Sequence, residues 1–410
     1  MPVDDPCNQS PAPSCGSVPA ALACSGQNPA ESACPLAYFQ RMIPNCLAYA
    51  RGAKEQGRPV VGIMCEFTPR ELILAAGGVA VCLCGGSAQT AELAERELPA
   101  GLCPLIKSTY GYHMQRSNPF LEMADLVIAE TTCDGKKKMF ELMGRTRAMH
   151  VLELPQKPAD GDALAHWLAE LGKCRAALEQ RFAARITDSR LRGAIELMNR
   201  ERRLRRGLAE RMKADPPPLT GGQLLELKSI ISGIPADLAQ YERILAAIDA
   251  GGMGPRQDLA ARPRVLLTGV PLVHGAERVL ELIEQCGGAV VCMENCTGLK
   301  PLVEDVALDG GDPLAALAQA YFHLPCSVMT PNTRRMELLR RLIAEYRPAC
   351  IIELVWQGCL TYDVEAALVR QLAEQECGLG YLKIQTDYSP SDSSRIATRV
   401  EALFETLQGR

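Results

Sequence analysis

Seven cysteines of this chain fall where ordinary core residues do not belong. Cys65 closes the apolar run "PVVGIMC", Cys84 closes "VAVCLC", and Cys133 follows "DLVIAE" in "TTCDGKKK". Cys103 stands in "GLCPLIKS", Cys296 in "ENCTGLK", Cys326 in "HLPCSVMTPN" and Cys359 just after "IIELVWQG". Soft thiolates select zinc, Cu(I) or iron–sulfur clusters. Structural zinc prefers close cysteine pairs, and only Cys82-Leu83-Cys84 and Cys292…Cys296 approach that spacing. Thiols this far apart in sequence can meet only through the fold. That suits a cluster held in a cleft, where neighbouring donors and exclusion of water tune its potential.

The elements that must position these thiols are legible. Continuous apolar runs alternate with helical stretches: "PVVGIMC", "VAVCLC", "DLVIAE" and "MHVLEL" in the first part, then "RVLLTG", "AVVCME", "ACIIELVW" and "GYLKIQTD" after residue 263. Unbroken apolar strands between helices indicate parallel sheets covered on both faces. The expected fold is α/β, with two similar doubly wound parallel-sheet domains of Rossmann or flavodoxin type joined by a helical insert. Ligands of such sheets bind beyond the carboxyl ends of the strands, so a cluster belongs in the interdomain cleft. The expected boundaries are 1–34 for a weakly ordered Cys/Pro-rich arm, 35–158 for the first α/β domain, 159–262 for the helical insert and 263–410 for the second α/β domain. "TPRELILAAGG" reads as a helix with Thr68 as N-cap and Pro69 at its first position. Asp134-Gly135 reads as a turn before a helix opened by Lys136.

Bulk composition removes several classes. A net charge of −4 over 410 residues, with 22% charged residues, gives no global attraction to nucleic acid or anionic membrane. No run of about 18 uncharged apolar residues exists to span a bilayer, and "MPVDDPCNQSPAPSC" lacks the basic and apolar regions of a signal peptide. The expected location is cytoplasmic, where disulfides are disfavoured and the 18 cysteines stay reduced. Cys174, Cys286 and Cys350 read as core thiols. Cys7, Cys15, Cys24, Cys34 and Cys46 are too widely spaced to argue for ligation. The basic stretch "RERRLRRGLAERMK" reads as the solvated face of a long bridging helix.

Other motifs are weaker. "CDGKKK" is no phosphate loop, since Glu130 and Lys137 occupy positions that would require Gly and Ser or Thr. No G-x-G-x-x-G follows either first strand. Ser108, His113 and nearby acids form no triad. His274, in "PLVHG", sits in a strand-end loop and reads as a structural histidine.

"MCEFTPRELILAAGG", "LCPLIKSTYG", "ADLVIAETTCDGKKKMFELM", "CTG", "MTPNTRR" and "VWQGCLTYD" together resemble the 2-hydroxyacyl-CoA dehydratase and benzoyl-CoA reductase superfamily, from about residue 40 to the C-terminus. In the dehydratases three cysteines hold one [4Fe–4S] cluster, and the resemblance puts Cys103, Cys133 and Cys359 in those positions. "CEFTPRE", "CLCGGS" and "HLPCSVMTPN" are similar to the double-cubane cluster proteins of the superfamily. Those are homodimers with an [8Fe–9S] cofactor and six cysteine ligands. They take low-potential electrons from an ATP-hydrolysing [4Fe–4S] activator protein and reduce small molecules such as acetylene, azide and hydrazine.

The resemblance therefore implies an ATP-dependent iron–sulfur reductase of anaerobic metabolism, with Cys65, Cys296 and Cys326 completing the ligand set and Cys84 competing with Cys296. Lys107, Lys136 and Arg70 would offset the charge of an anionic cluster, and Glu66 or His113 would supply protons; Glu66, His113 and Lys136 are the candidate catalytic side chains. The alternatives are a subunit of a 2-hydroxyacyl-CoA dehydratase or aryl-CoA reductase with a single [4Fe–4S] cluster, and a non-enzymatic electron carrier or cluster scaffold.

Overall fold

The computed structural model describes residues 35–408. The expected arm at 1–34, with Cys7, Cys15, Cys24 and Cys34, lies outside the described residues. Eight strands form: β1 (Val60–Ile63), β2 (Val79–Cys82), β3 (Leu126–Glu130), β4 (Met149–Leu152), β5 (Arg264–Gly269), β6 (Ala289–Glu294), β7 (Cys350–Trp356) and β8 (Gly380–Thr386). They build two four-stranded sheets, ordered β2-β1-β3-β4 and β6-β5-β7-β8, and every pairing is parallel. The α/β fold with two similar doubly wound sheets is what the alternation required. β1, β3, β6 and β7 are buried at every position, because helices cover both faces.

The same permuted order in both sheets matters for the site. The chain leaves the first strand of each sheet in one direction and returns on its other side. A crevice therefore opens above β1/β3 and above β5/β7, at the carboxyl ends.

The helices used below are α1 (Arg70–Ala75), α2 (Pro104–Gln115), α3 (Asp134–Met143), α4 (Ala163–Phe182), α5 (Asp188–Arg211), α6 (Pro235–Asp249), α7 (Thr333–Tyr346) and α8 (Leu360–Gln371). Helices α4 to α6 stand between the sheets in sequence, and α5 packs on α1 and α6.

Three local expectations need correction. Thr68 does not cap α1, whose N-cap is Pro69 without a side-chain hydrogen bond; the Thr68 hydroxyl instead donates to the buried Glu130 carboxylate. Asp134 and Gly135 are not a turn before α3 but its first residues, with Cys133 at the N-cap. The basic stretch on α5 is not a solvated face. Arg202 is 6% exposed and pairs with Glu71 at 2.6 Å, while Tyr321 donates to the other Glu71 oxygen at 2.7 Å. Arg203 and Arg206 both hold Asp305. Guanidinium geometry makes α5 an ion-paired strut between the sheets' surroundings.

Candidate functional site

A cavity of about 840 Å³ opens where the carboxyl ends of the two sheets face each other. Eight thiols line it: Cys65, Cys82, Cys84, Cys103, Cys133, Cys296, Cys326 and Cys359. All seven cysteines singled out in the sequence meet there, and Cys82 joins them. Successive strand residues point to opposite faces, so Cys82 and Cys84 share one side of β2 and its extension; that spacing was the signal for Cys82. Cys46, Cys174 and Cys350 are buried elsewhere, the first with its Sγ 3.0 Å from Ser229 Oγ.

The thiols fall into two groups with different electrostatic support. Cys103, Cys133 and Cys359 occupy the N-caps of α2, α3 and α8. A helix N-terminus presents unpaired N–H groups and a partial positive charge, which favours thiolate over thiol. The neighbouring Cys359 thiol, helped by the amides of Leu105 and Ile106, holds Cys103 below the ordinary thiol value despite burial. Cys103 in turn, together with burial, pushes Cys359 well up.

Gly358 makes this approach possible. Its φ is +77°, and a Cβ there would lie 2.3 Å from the Gly101 carbonyl oxygen, so only glycine lets the β7–α8 turn close on the loop carrying Cys103. Gly86 does the same between the sheets, where a Cβ would meet the His274 carbonyl oxygen at 2.2 Å.

Cys65, Cys296 and Cys326 form the second group and are mutual electrostatic neighbours. None caps a helix. Burial pushes Cys65 well up and Cys296 up to about 11. Lysines provide the compensation here. Lys136 reaches the cavity from the first turn of α3, and burial alone would depress its ammonium. Cys65, then Cys84 and Cys133, more than offset that and hold it charged. Lys228 Nζ donates to the Cys296 carbonyl at 2.9 Å, and Lys300 is the leading charge acting against the rise of Cys296. The sequence singled out neither Lys228 nor Lys300: Lys300 closes the stretch "ENCTGLK" four residues after Cys296, whereas Lys228 reaches that loop only through the fold. Cys82 and Cys84 line the same cavity, Cys84 with its Sγ 3.5 Å from the Met64 carbonyl; the neighbouring Cys84 thiol lowers Cys82 to about 6, with burial opposing and Lys228 assisting.

The proposed proton sources fare differently. Glu66 lines the cavity but is clamped between Arg70 at 2.7 Å and Lys228 at 3.2 Å. Burial opposes its ionisation, yet Arg70 and then Lys228 prevail and bring it down to about 2. A carboxylate so strongly held gives up no proton at neutral pH, so Glu66 is an anionic spacer. His113 does not line the cavity: it sits near the end of α2 with Nε2 3.3 Å from Thr146 Oγ1. Lys107 is turned to Glu95 at 2.6 Å and the Ala100 carbonyl at 2.8 Å, away from the thiols. Arg70 pairs with Glu66 and has the Cys82 thiol as an electrostatic neighbour. Of the candidate catalytic side chains, Lys136 is the one the cavity retains as a charge facing the thiols. His274 lines the rim and pairs with Glu277 at 3.5 Å.

Residues 65–407 match the family model described as 2-hydroxyglutaryl-CoA dehydratase, D-component. The chain belongs to this family. It is 40% identical to the putative dehydratase subunit YjiM of Escherichia coli (strain K12) over 86% of this chain and 93% of that protein. It is 24% identical to the lactoyl-CoA dehydratase subunit beta of Anaerotignum propionicum over the same shares, 86% and 93%. A likeness of 22% to a benzoyl-CoA reductase subunit of Thauera aromatica covers 66% of this chain and 69% of that one. Membership of a family of dehydratase and reductase subunits with iron–sulfur involvement agrees with the thiol cavity. Among the described residues no helix is long and apolar enough to cross a membrane.

Eight thiols in one cavity are a donor set that an iron–sulfur cluster could take, since each iron takes its own thiolate and the ligands stand around the cluster.

Proposed function

We propose that this chain is the cluster-bearing subunit of an ATP-dependent, low-potential reductase of small molecules. In this reading Cys103, Cys133 and Cys359 hold one half of an [8Fe–9S] double cubane and Cys65, Cys296 and Cys326 the other, with Cys84 as the neighbour that competes with Cys296. When bound, the cluster supplies stored electrons of low potential. The chain's own part is to seat the thiols and neutralise the charge of a bound cluster. The N-termini of α2, α3 and α8 offer positive partial charge to the first group, and Lys136, Lys228 and Lys300 offer charge to the second. Electrons come from a docking ATP-hydrolysing [4Fe–4S] activator, and the working unit is a homodimer.

The observation that carries this reading is the presence of a second thiol group in the same cavity. A single [4Fe–4S] cluster on Cys103, Cys133 and Cys359 leaves Cys65, Cys296 and Cys326, and the lysines beside them, without a task. The names of the relatives favour a second reading, a subunit of a 2-hydroxyacyl-CoA dehydratase or aryl-CoA reductase with one [4Fe–4S] cluster.

The test is turnover of anaerobically purified protein with activator, ATP and a reductant. Reduction of acetylene, azide or hydrazine that stops without ATP is the expected result. Dehydration of a 2-hydroxyacyl-CoA thioester instead would establish the second reading. No turnover of either kind, with the cluster passing to an acceptor protein, would make the chain a carrier or scaffold.

A further inference from the structure

A second cavity, of about 290 Å³, lies behind the thiol cavity and shares Glu66 with it. Exposed Arg334, Glu337 and Arg341 stand at its rim, so it communicates with solvent. Two buried side chains stand between the cavities. Lys300, 2% exposed, lines the outer one, and Tyr362, 5% exposed, lines the thiol cavity. Lys300 Nζ donates to the Tyr362 hydroxyl at 2.7 Å.

The surroundings fix this pair. Lys300 Nζ stands 3.3 Å from Glu294 Oε1, an ion pair without hydrogen-bond alignment. Arg335 stacks over the Tyr362 ring at 5.0 Å and is held by Glu294, Glu353 and Glu365. Tyr362 is anchored on α8 three residues after Cys359, and Cys326 and Cys296 are its electrostatic neighbours. Among the described residues the Tyr362 hydroxyl accepts from Lys300 and donates to none. Its own proton is therefore uncommitted, on a side chain that lines the cavity where reduction would occur.

We propose that Lys300 and Tyr362 form a proton bridge that carries protons from the outer cavity into the thiol cavity. The inference rests on the reductase reading, since each electron added to a neutral small molecule calls for a proton. The step balances without any added oxidant or reductant. The Tyr362 O–H bond breaks as the proton passes to the reduced species, an N–H bond of Lys300 breaks to restore the phenol, and a proton taken up from bulk solvent through the water of the outer cavity restores the ammonium. Both side chains return to their starting state, and no electron passes through them. Glu66 and His113 do not provide this route, the first being held as a carboxylate and the second lying elsewhere.

The test uses the iron-loaded protein, reduced chemically and then mixed with acetylene in a stopped-flow instrument. Cluster absorbance reports electrons, first in and then out to the substrate, and a pH-indicator dye in weak buffer reports proton uptake. In the unaltered protein proton uptake is expected to keep pace with re-oxidation of the cluster. In Tyr362→Phe, chemical reduction should proceed at the unaltered rate while re-oxidation by acetylene and the accompanying proton uptake slow at least ~10-fold, at unchanged iron content. Lys300→Gln, which can still donate a hydrogen bond to the phenol but has no acidic proton to pass on, should show the same slowing. Unaltered rates of re-oxidation and proton uptake in either iron-loaded variant would overturn the bridge, showing that protons enter by the mouth of the thiol cavity. So would loss of iron in both variants, or re-oxidation of the unaltered protein by acetylene without proton uptake. Failure of the unaltered protein to hold iron or to pass electrons to acetylene would instead remove the reductase reading itself.

Discussion

Lys136 Nζ hydrogen-bonds the main-chain carbonyl of Met64 at 2.8 Å, across 72 residues of sequence. The contact joins the first turn of α3 to the end of β1 and places an ammonium between Cys65, Cys84 and Cys133. Lys137 and Lys138, its neighbours in the triplet, are partly exposed and pair with Asp134 and Glu141. Removing this one charge with Lys136→Met should move the cluster's midpoint on the order of 100 mV toward lower potential, as for a unit charge a few ångströms away at an effective dielectric of about 20. Lys137→Met should move it far less, because its charge is exposed and already paired. A redox titration followed by electron paramagnetic resonance compares the two; equal shifts would contradict the placement.

The cysteine groups should behave differently when altered singly. Cys103→Ser, Cys133→Ser and Cys359→Ser are expected to lose most bound iron, because these thiols, seated at the N-caps of α2, α3 and α8, are the ones on which the first half is built. Cys65→Ser and Cys326→Ser should retain about half. Cys174→Ser, a buried thiol of α4 remote from the cavity, should retain all of it. Anaerobic iron assay of the purified variants reads the difference.

Glu130 offers a pH test of the wall behind Cys65. Burial raises its carboxyl to about 7, although the Thr68 hydroxyl and Lys136 act in the opposite sense. The folded value lies above the unfolded one, so its stabilising contribution is complete below pH ~4.5 and is lost as pH rises through about 7. A rise from 4.5 to about 7 corresponds to a loss of about 3 kcal/mol. Denaturant unfolding at pH 5, 7 and 8.5 should show this decline, and Glu130→Gln should flatten it. An unchanged slope in Glu130→Gln would contradict the assignment.

Arg335 is fully buried and faces three carboxylates, Glu294, Glu353 and Glu365, with Thr268 accepting at 2.9 Å. Arg335→Leu leaves those charges uncompensated and should cost about 3–5 kcal/mol. Thermal unfolding should detect it directly, whereas a near-neutral effect would mean the carboxylates are protonated in the fold.

The strands and the cavity thiols were legible in the sequence because both rest on local patterns. Unbroken apolar runs located β1 to β8, and the parallel-sheet rule then put Cys65, Cys133, Cys296 and Cys359 at one rim. Cys82 was legible only through its spacing from Cys84, because a thiol within a strand has the pattern of a core residue. Lys228 was not legible, since it comes from the segment after α5 and meets Cys296 only through the fold; Lys300 had a local signal, because it closes the stretch "ENCTGLK" that carries Cys296. Thr68 misled because a threonine before Pro69 has the local pattern of a cap, whereas the buried Glu130, 62 residues away, competes for its hydroxyl. For His113 and Glu66 the sequence gives the titratable group but not its direction or its partners, which the fold supplies as Thr146 for the one and Arg70 and Lys228 for the other.

The central claim is that one chain holds two joined cubanes in a single thiol cavity. Iron and acid-labile sulfide, counted per chain on anaerobically purified protein, test it most directly. The expected result is about eight irons and about nine sulfides per chain, falling to about four irons in Cys326→Ser. About four irons in the unaltered protein, unaffected by Cys326→Ser, would contradict it.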